Sequence, residues 1–364
     1  MAFNAATRQN FLAAPAIAYS LGQPIQSQIP KVGLLKRIIV LITGTNTVTL
    51  GGGTATIGLE APWSLVQRIK LIANGNTTLF DCSGYGALIA SLFSAHGFSG
   101  FGGRPVIPDT ATVPGPVATA FSAANFSAGV GAGANTWNFA LEIPIGLADD
   151  WREPVGLILA AAPDTQLALE ITWGANLYSL TASRNVPITV TGAATAVFVG
   201  SATPFVEFFT IPASTADYPD LHRVHLWTET GPQPIVANGD NDVTVQRGNT
   251  LMRLVHGVYT NSAPDGTNVS GRQLRFNTNE VPYATSRQLD AVVQRKRMVR
   301  DQPDGWYTWD LWNTGTPRDA INTLNLNEIT SRLTLAGATI AGVSDIRTLT
   351  EQLVMLTGAA TGSA

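Results

Sequence analysis

Residues that could do chemistry are sparse in this 364-residue sequence, which has four His and one Cys. His222 and His225 are the nearest approach to a metal-binding pair. On a strand, a spacing of three places two side chains on opposite faces, so this pair would need a turn or a helix to share an ion. Two histidines with ordinary hydrogen bonds are the simpler interpretation, and His96 and His256 are isolated in the sequence. We expect no metal site.

Other catalytic signatures are missing from the sequence. None of the four lysines precedes Ser or Thr, so there is no phosphate-binding loop of the Walker type. There is no Gly-x-Ser-x-Gly nucleophile elbow. Asp240 and Asp242 could ligate a hard cation, but a solvated turn is the simpler interpretation. The single cysteine, Cys82, excludes an internal disulfide and a thiolate-rich metal site. We therefore predict a protein that is not an enzyme and that has no cofactor.

One segment concentrates positive charge. Residues 287–300 contain five of the 22 Lys and Arg residues, namely Arg287, Arg295, Lys296, Arg297 and Arg300. They could contact phosphates of lipid headgroups or nucleic acid, or carboxylates of a neighbouring subunit. A solvated helix face paired with Asp290 or Asp301 is the alternative. Because the net charge is only −3, we expect no sequence-specific nucleic-acid binding. Arg295, Lys296, Arg297 and Arg300 are our candidates for an interface or a membrane-facing surface.

The composition favours a chain that associates with copies of itself. Charged residues make up 13% of the sequence and hydrophobic residues 45%, whereas about 25% charged residues is usual for soluble globular chains. A surface that is poor in charge leaves apolar area open to association. No run reaches the roughly 18 apolar residues that a membrane-spanning helix needs.

The elements that must position these residues are mostly strands. Apolar residues alternate with others from Trp137 to Ile143 and from Leu167 to Trp173, which predicts half-buried antiparallel strands. Asn74-Gly75 is a hairpin-type turn between two further strand-like runs. Helices are predicted only at residues 84–95, 286–300 and 343–357. Many short strands with few helices predict an all-β protein.

The chain divides into two predicted β domains. A loop-rich segment follows the strand-like run Phe205–Ile211, which places the boundary near residue 212. The predicted organisation is an N-terminal arm at 1–28, a first domain at 29–211, a second at 212–357 and a tail at 358–364. A β-sandwich that binds carbohydrate or acts in adhesion is an alternative function, and it would need exposed aromatic residues in loops. The candidates for this role are Trp151, Trp227, Trp306, Trp309 and Trp312.

Two stretches resemble the major capsid proteins of tectivirus-like phages, which are tailless, icosahedral, double-stranded-DNA phages with an internal membrane. The first runs from Ala61 to Ile69 (APWSLVQRI) and is followed by a turn, Asp81 and Ser83-Gly84 at a short helix. The second is the basic run 294–297, an acidic–Pro–Gly–aromatic turn over 301–307, and a late strand pair over 320–335. The stretches occur in the family's order and at similar separation, over about a quarter of the chain.

The resemblance implies a double jelly roll, with two eight-stranded antiparallel β-sandwiches and a few short helices. It further implies homotrimers, pseudo-hexagonal in outline, that assemble into an icosahedral shell around an internal membrane. The implied partners are the chain itself, penton or vertex proteins, minor capsid proteins and the viral membrane. The implied location is the virion, after synthesis in the host cytoplasm.

The resemblance also assigns a role to the N-terminal arm. In this family the arm lies at the inner side of the shell, near the membrane and neighbouring capsomers. By that resemblance, the contact residues of the arm are expected to be Phe3, Phe11, Leu12 and Ile17.

Overall fold

The computed structural model describes residue 3 and residues 6–92, 127–147, 154–277, 280–286, 304–312 and 320–355. Strands dominate these residues, so the predicted all-β class is confirmed. The chain forms two compact units: unit 1 comprises Met1–Trp227 and Met355–Ala364, and unit 2 comprises Thr228–Val354. The sequence predicted a boundary near residue 212, at the start of a loop. The units divide further along the chain, between Trp227 and Thr228, inside the strand that follows this loop.

Unit 1 contains three sheets. Its strands are β1 (Gln9–Ala13), β2 (Ile17–Ala18), β3 (Pro24–Gln28), β4 (Leu34–Thr49), β5 (Ala55–Ile57), β6 (Val66–Ala73), β7 (Thr77–Cys82), β8 (Ser127–Ala128), β9 (Gly133–Pro144), β10 (Ile158–Leu159), β11 (Leu167–Trp173), β12 (Tyr178–Ser179), β13 (Ile188–Val190) and β14 (Thr195–Phe209). The first sheet has the order β1-β14-β4-β9-β8, with β2 also on β14 and β10 on β4. The second runs β7-β6-β11-β3, and the small third sheet runs β12-β13-β5.

Alternating side chains bury one face of the first sheet. Trp137, Phe139 and Leu141 of β9 are buried, as the period-two pattern predicted. Tyr19 joins the two larger sheets of unit 1. Its ring makes edge contacts with Phe198 of β14, at a centroid distance of 5.0 Å, and with Trp173 of β11, at 5.2 Å. The interior of unit 1 therefore lies between these two sheets, as in a β-sandwich.

The stretch that resembles tectivirus-like proteins forms a compact piece of unit 1. Trp63–Leu65 make one turn of 3-10 helix before β6, and Arg68 on β6 forms an ion pair with Asp81 on β7. Asn74 and Gly75 join β6 to β7 with φ values of 52° and 76°, which confirms the predicted hairpin turn. Helix α1 (Gly84–Leu92) begins directly after β7, close to the predicted helix at 84–95.

The local sequence explains why α1 begins at this position. The Ser83 hydroxyl accepts a hydrogen bond from the Gly86 amide at 3.0 Å, which caps the helix. A Cβ atom at Gly84 would lie 2.1 Å from the Trp63 carbonyl oxygen, so only glycine fits at the first helical position. A second 3-10 turn, Thr215–Asp217, lies in the loop after β14.

Unit 2 contains two sheets. The strands that complete the chain are β15 (Arg223–Pro234), which starts in unit 1, β16 (Gly239–Thr244), β17 (Thr250–Thr260), β18 (Ala263–Pro264), β19 (Val269–Phe276), β20 (Glu280–Ser286), β21 (Trp306–Asp310), β22 (Ile321–Asn322), β23 (Ile329–Leu335) and β24 (Asp345–Met355). One sheet has the order β18-β17-β24-β15, with β21 and β22 also paired to β17. The other runs β16-β23-β19-β20.

The two sheets of unit 2 pack face to face. One buried cluster joins Val258 of β17 and Ile346 of β24 to Val269 of β19 and Leu333 of β23. A second cluster joins Leu254 and Trp309 to Leu274 and Ile329 across the same two sheets. Unit 2 is therefore also a β-sandwich.

The predicted helix at 343–357 is wrong, because Asp345–Met355 form strand β24. This strand lies between β17 and β15, so both of its edges are hydrogen-bonded. Nine consecutive residues, 345–353, are buried, on both faces of the sheet. Ladder hydrogen bonds and burial on both faces outweigh the local helix propensity of this segment. The predicted helix at 286–300 lies almost entirely outside the described residues, which end in this region with β20 at Ser286.

Candidate assembly surface

The N-terminal residues that the sequence singled out occupy two different environments. Strand β1 pairs antiparallel with β14 at the edge of the first sheet, and Phe11 lies opposite Glu207. All five β1 residues are exposed, including Phe11 at 58% and Leu12 at 41%. An exposed edge strand that carries large apolar side chains is a template for contact with another chain. Phe11 and Leu12 are therefore well placed for the predicted contact.

Phe3 and Ile17 lie inside unit 1. The Phe3 ring contacts Phe209 edge-on at a centroid distance of 5.2 Å. Ile17 is buried on β2, where it pairs with Ala202 of β14. These two residues attach the N-terminal segment to its own unit, so the proposed intermolecular contact falls to Phe11 and Leu12. The basic candidates Arg295, Lys296, Arg297 and Arg300 lie outside the described residues.

A buried charge cluster fixes β1 to the sheet. The Glu207 carboxylate on β14 accepts hydrogen bonds from Gln9 on β1 and from Lys36 and Arg37 on β4. Arg37 also forms an ion pair with Glu142 on β9, at 3.2 Å. The Lys36, Arg37, Glu142 and Glu207 side chains are almost fully buried. Because Gln9 is part of this cluster, the position of β1 is fixed by specific polar contacts.

Burial decides the electrostatics of this cluster. It raises the pKa of Glu142 to about 7, against the attraction of Arg37, and it lowers the pKa of Lys36, against the attraction of Glu207. Sequence analysis missed the cluster because its residues are separated by more than a hundred positions and meet only through the register of β4, β9 and β14. The only local signal was a pair of charged residues, Lys36-Arg37, inside an otherwise apolar strand.

The histidines do not form a chemical site among the described residues. His222 is exposed, with Nδ1 3.3 Å from an Asp220 carboxylate oxygen, whereas His225 is buried beside Trp227. His256 is buried on β17 between the hydroxyls of Thr348, at 3.0 Å, and Ser331, at 2.8 Å. Burial, with a contribution from Arg272, lowers its pKa to about 3, so the ring is neutral. His96 is outside the described residues.

The acidic pair Asp240 and Asp242 is occupied by an internal partner. Both carboxylates bind Arg332 on the neighbouring strand, at 2.9 Å and 2.6 Å. Asp240 also accepts a hydrogen bond from the Thr334 hydroxyl. The carboxylates therefore face a guanidinium group. Within the described ranges, no group of three or more His, Cys, Asp or Glu side chains could hold a metal ion, and Cys82 is buried.

The aromatic residues considered for carbohydrate binding are buried wherever the structure describes them. Trp227, Trp306, Trp309 and Trp312 are all less than 10% exposed. Trp309 packs against the Arg272 guanidinium at 4.3 Å and donates a hydrogen bond to Ser331. Trp151 lies outside the described residues. These four tryptophans serve the protein interior, so they do not form a platform on which a sugar ring could stack.

A further negative finding concerns membranes. Within the part of the chain that the structure describes, no helix has the length and apolar character required to span one.

Comparisons with known proteins find similarity in structure only. No family model matches the chain, and no curated protein does. The major capsid protein of Sulfolobus turreted icosahedral virus has a TM-score of 0.68 and 14% identity, over 96% of this chain and 97% of that chain. VP54 of PBCV-1 has a TM-score of 0.66 and 10% identity, over 98% and 97%. The major capsid protein P2 of bacteriophage PM2 has a TM-score of 0.51 and 9% identity, over 97% and 99%.

At these identities the similarity establishes the fold. The chain is a double jelly roll, as the sequence predicted, and the similarity covers nearly the full length of each of these proteins.

Proposed function

We propose that this protein is a viral major capsid protein that self-assembles as pseudo-hexameric homotrimers. The trimers form an icosahedral virion shell around an internal membrane, as in tectivirus-like phages. The main support is that the fold matches those of viral major capsid proteins over at least 96% of this chain. The two stretches that resemble tectivirus-like proteins support the narrower assignment.

The surface of unit 1 is consistent with this role. Strand β1 presents Phe11 and Leu12 at a sheet edge while Gln9 holds it to Glu207. Such an edge is ready to contact another copy without first folding onto it. Burial of apolar area contributes about 25 cal/mol per Å², so interfaces of the size found in obligate assemblies do not require many ion pairs. This agrees with a chain that is only 13% charged.

The remaining parts of the proposal concern partners and location. The partners are neighbouring capsomers, penton or vertex proteins, minor capsid proteins and the internal viral membrane, without sequence-specific nucleic-acid binding. The protein is synthesised in the host cytoplasm and resides in the virion. Its role is structural, not catalytic, since His256, Asp240 and Asp242 are already engaged by internal partners.

The carbohydrate-binding or adhesive alternative has lost most of its basis, because four of its five candidate tryptophans are buried. Negative-stain microscopy of the purified native protein tests the choice. The capsid proposal predicts uniform six-lobed particles of the size of a trimer. Single particles of monomer size that bind a glycan array would contradict it and would favour the alternative.

A further inference from the structure

One face of the first sheet of unit 1 points away from the buried core. Strand β4 pairs with β14 on one side and β9 on the other, so Thr45 is flanked by Val199 and Thr136, and Thr47 by Val197 and Ala134. Residues that are directly opposite on neighbouring strands share a face. We call this set the threonine–valine face, and its members are Thr45, Thr47, Thr49, Ala134, Thr136, Thr195, Val197 and Val199.

The alternation of burial shows which side of the sheet this face occupies. Phe198 and Ala196, the intervening residues of β14, are buried, and so is Trp137 of β9. Val197 and Val199 are 61% and 71% exposed. Two adjacent β-branched apolar residues therefore stand on an open sheet surface, beside a row of threonines.

The face contains no charged side chain. On the same side of the sheet, the next positions are Ser201 and Thr203 of β14, Leu41 and Thr43 of β4, and Asn138 and Ala140 of β9, which are also uncharged. The first charged groups reached along this side are Arg37, Glu142 and Glu207, which are buried in the cluster described above. A solvated sheet face usually carries charges, which keep its side chains in water and prevent association.

We propose that the threonine–valine face is an interface with a second copy of this chain. This inference rests on the proposed function, in which many copies are in contact. A second copy fits because it is itself poor in charge, so neither surface brings an unpaired charge into the contact. The face also lies on the same side of the sheet as Phe11, which is 58% exposed on β1. The predicted N-terminal contact and the threonine–valine face can therefore belong to one continuous interface.

The chemistry of the face disfavours other partners. Nucleic acids and anionic lipid surfaces are bound through Lys and Arg, and the face has neither. Sugar rings are commonly bound by aromatic side chains, which its eight members lack. The other occupant to consider is the chain's own segment 93–126, which is rich in Gly, Ala, Ser and Thr and leads into β8, the strand next to β9.

Charge insertion separates these possibilities. In Val197→Lys and Thr47→Lys, a lysine replaces an exposed residue of the face, so folding is expected to survive. Leu180→Lys is the matched control, because Leu180 is 68% exposed in the same unit but lies just after β12, in a different sheet. The dissociation constant of the oligomer is measured by sedimentation velocity over a range of concentrations. Circular dichroism and thermal melting of each variant verify folding.

We expect both face variants to weaken association by at least about tenfold, with Leu180→Lys close to the wild type and all melting temperatures unchanged. The inference is overturned if the face variants associate like the wild type, or if Leu180→Lys weakens association equally. A lower melting temperature with unchanged association also overturns it and assigns the face to segment 93–126. A monomeric wild type overturns the proposed function as well, whereas the other contrary results leave it intact.

Discussion

The outer sheet faces of the two units differ in the kind of neighbour they suit. In unit 2, β16, β23 and β19 place Asp242, Arg332 and Gln273 side by side, with Asp240 one step along the strand. These groups bond to one another at the surface and remain hydrated. In unit 1, the corresponding positions across three strands are the uncharged residues of the threonine–valine face. Two sandwiches of the same general design thus expose one face suited to water and another suited to protein.

The interiors of the units differ in a related way. Unit 1 buries a carboxyl group, Glu142, whose pKa is raised to about 7. Unit 2 buries an imidazole, His256, whose pKa is lowered to about 3. Burial disfavours the charged form of both groups, but an acid and a base respond with opposite signs. The two units should therefore lose stability at opposite ends of the pH scale.

The largest expected effect comes from removing the carboxylate at the centre of the unit 1 cluster. Glu207→Ala leaves the buried Lys36 and Arg37 without their shared partner and removes the acceptor of Gln9. Breaking a buried ion pair on one side costs about 3–5 kcal/mol. Urea unfolding should show a loss of this size. A loss below about 1 kcal/mol would mean that the cluster does not organise the sheet edge.

Replacing Glu142 tests the pH response of unit 1. The folded-state pKa of about 7 lies above the ordinary value of 4.5, so the native state holds a proton that the unfolded state releases. This contribution to stability is fully present below pH 4.5 and is lost as pH rises through 7, by about 3 kcal/mol in total. In Glu142→Gln this loss should disappear from unfolding free energies measured between pH 5 and 8. Glu328→Gln, at an exposed position, is the control and should keep the wild-type profile.

His256 tests the opposite response in unit 2. Its folded-state pKa of about 3 lies below the ordinary 6.5, so the unfolded state binds a proton first. The contribution is present above pH 6.5 and is lost as pH falls, reaching about 2 kcal/mol at pH 5. The slope of stability between pH 7 and 5 should flatten in His256→Gln and persist in the exposed control His222→Gln. Equal slopes in both variants would contradict the assignment.

The smallest expected effect is at the surface of unit 2. Arg332→Ala removes ion pairs to Asp240 and Asp242 whose carboxylates are more than 40% exposed. Surface pairs contribute about 0–1 kcal/mol and are screened by salt. We expect a loss below 1 kcal/mol that decreases further in 1 M NaCl. A loss comparable to that of Glu207→Ala would remove the distinction between the two units.

The features that the sequence predicted are those written in neighbouring residues. The alternation from Trp137 to Ile143, the Asn74-Gly75 turn and the helix that begins at Gly84 depend on short spacings, and all three are present. The double jelly roll was predicted because the Ala61–Ile69 stretch and the late turn and strands resemble a known family. The predicted helix at 343–357 failed because a central strand is specified by its neighbours β17 and β15, which local periodicity does not reveal.

The candidate surface was harder to predict for the same reason. Thr45, Thr47 and Thr49 alternate in the sequence, but their position beside Val197 and Val199 depends on pairing between strands about 150 residues apart. Phe3, Phe11, Leu12 and Ile17 are equally apolar, and only the pairing of β1 and β2 with β14 separates the exposed pair from the buried pair. Composition indicated that an uncharged surface exists, without locating it.

Sedimentation equilibrium of the wild-type protein tests the central claim most directly. Assembly through an uncharged face of unit 1 predicts a single species at three times the 38.4 kDa mass of the chain, and this mass should persist at high salt because no ion pair is required. A species at 38.4 kDa throughout the micromolar range, in low salt and in high salt, would contradict the account.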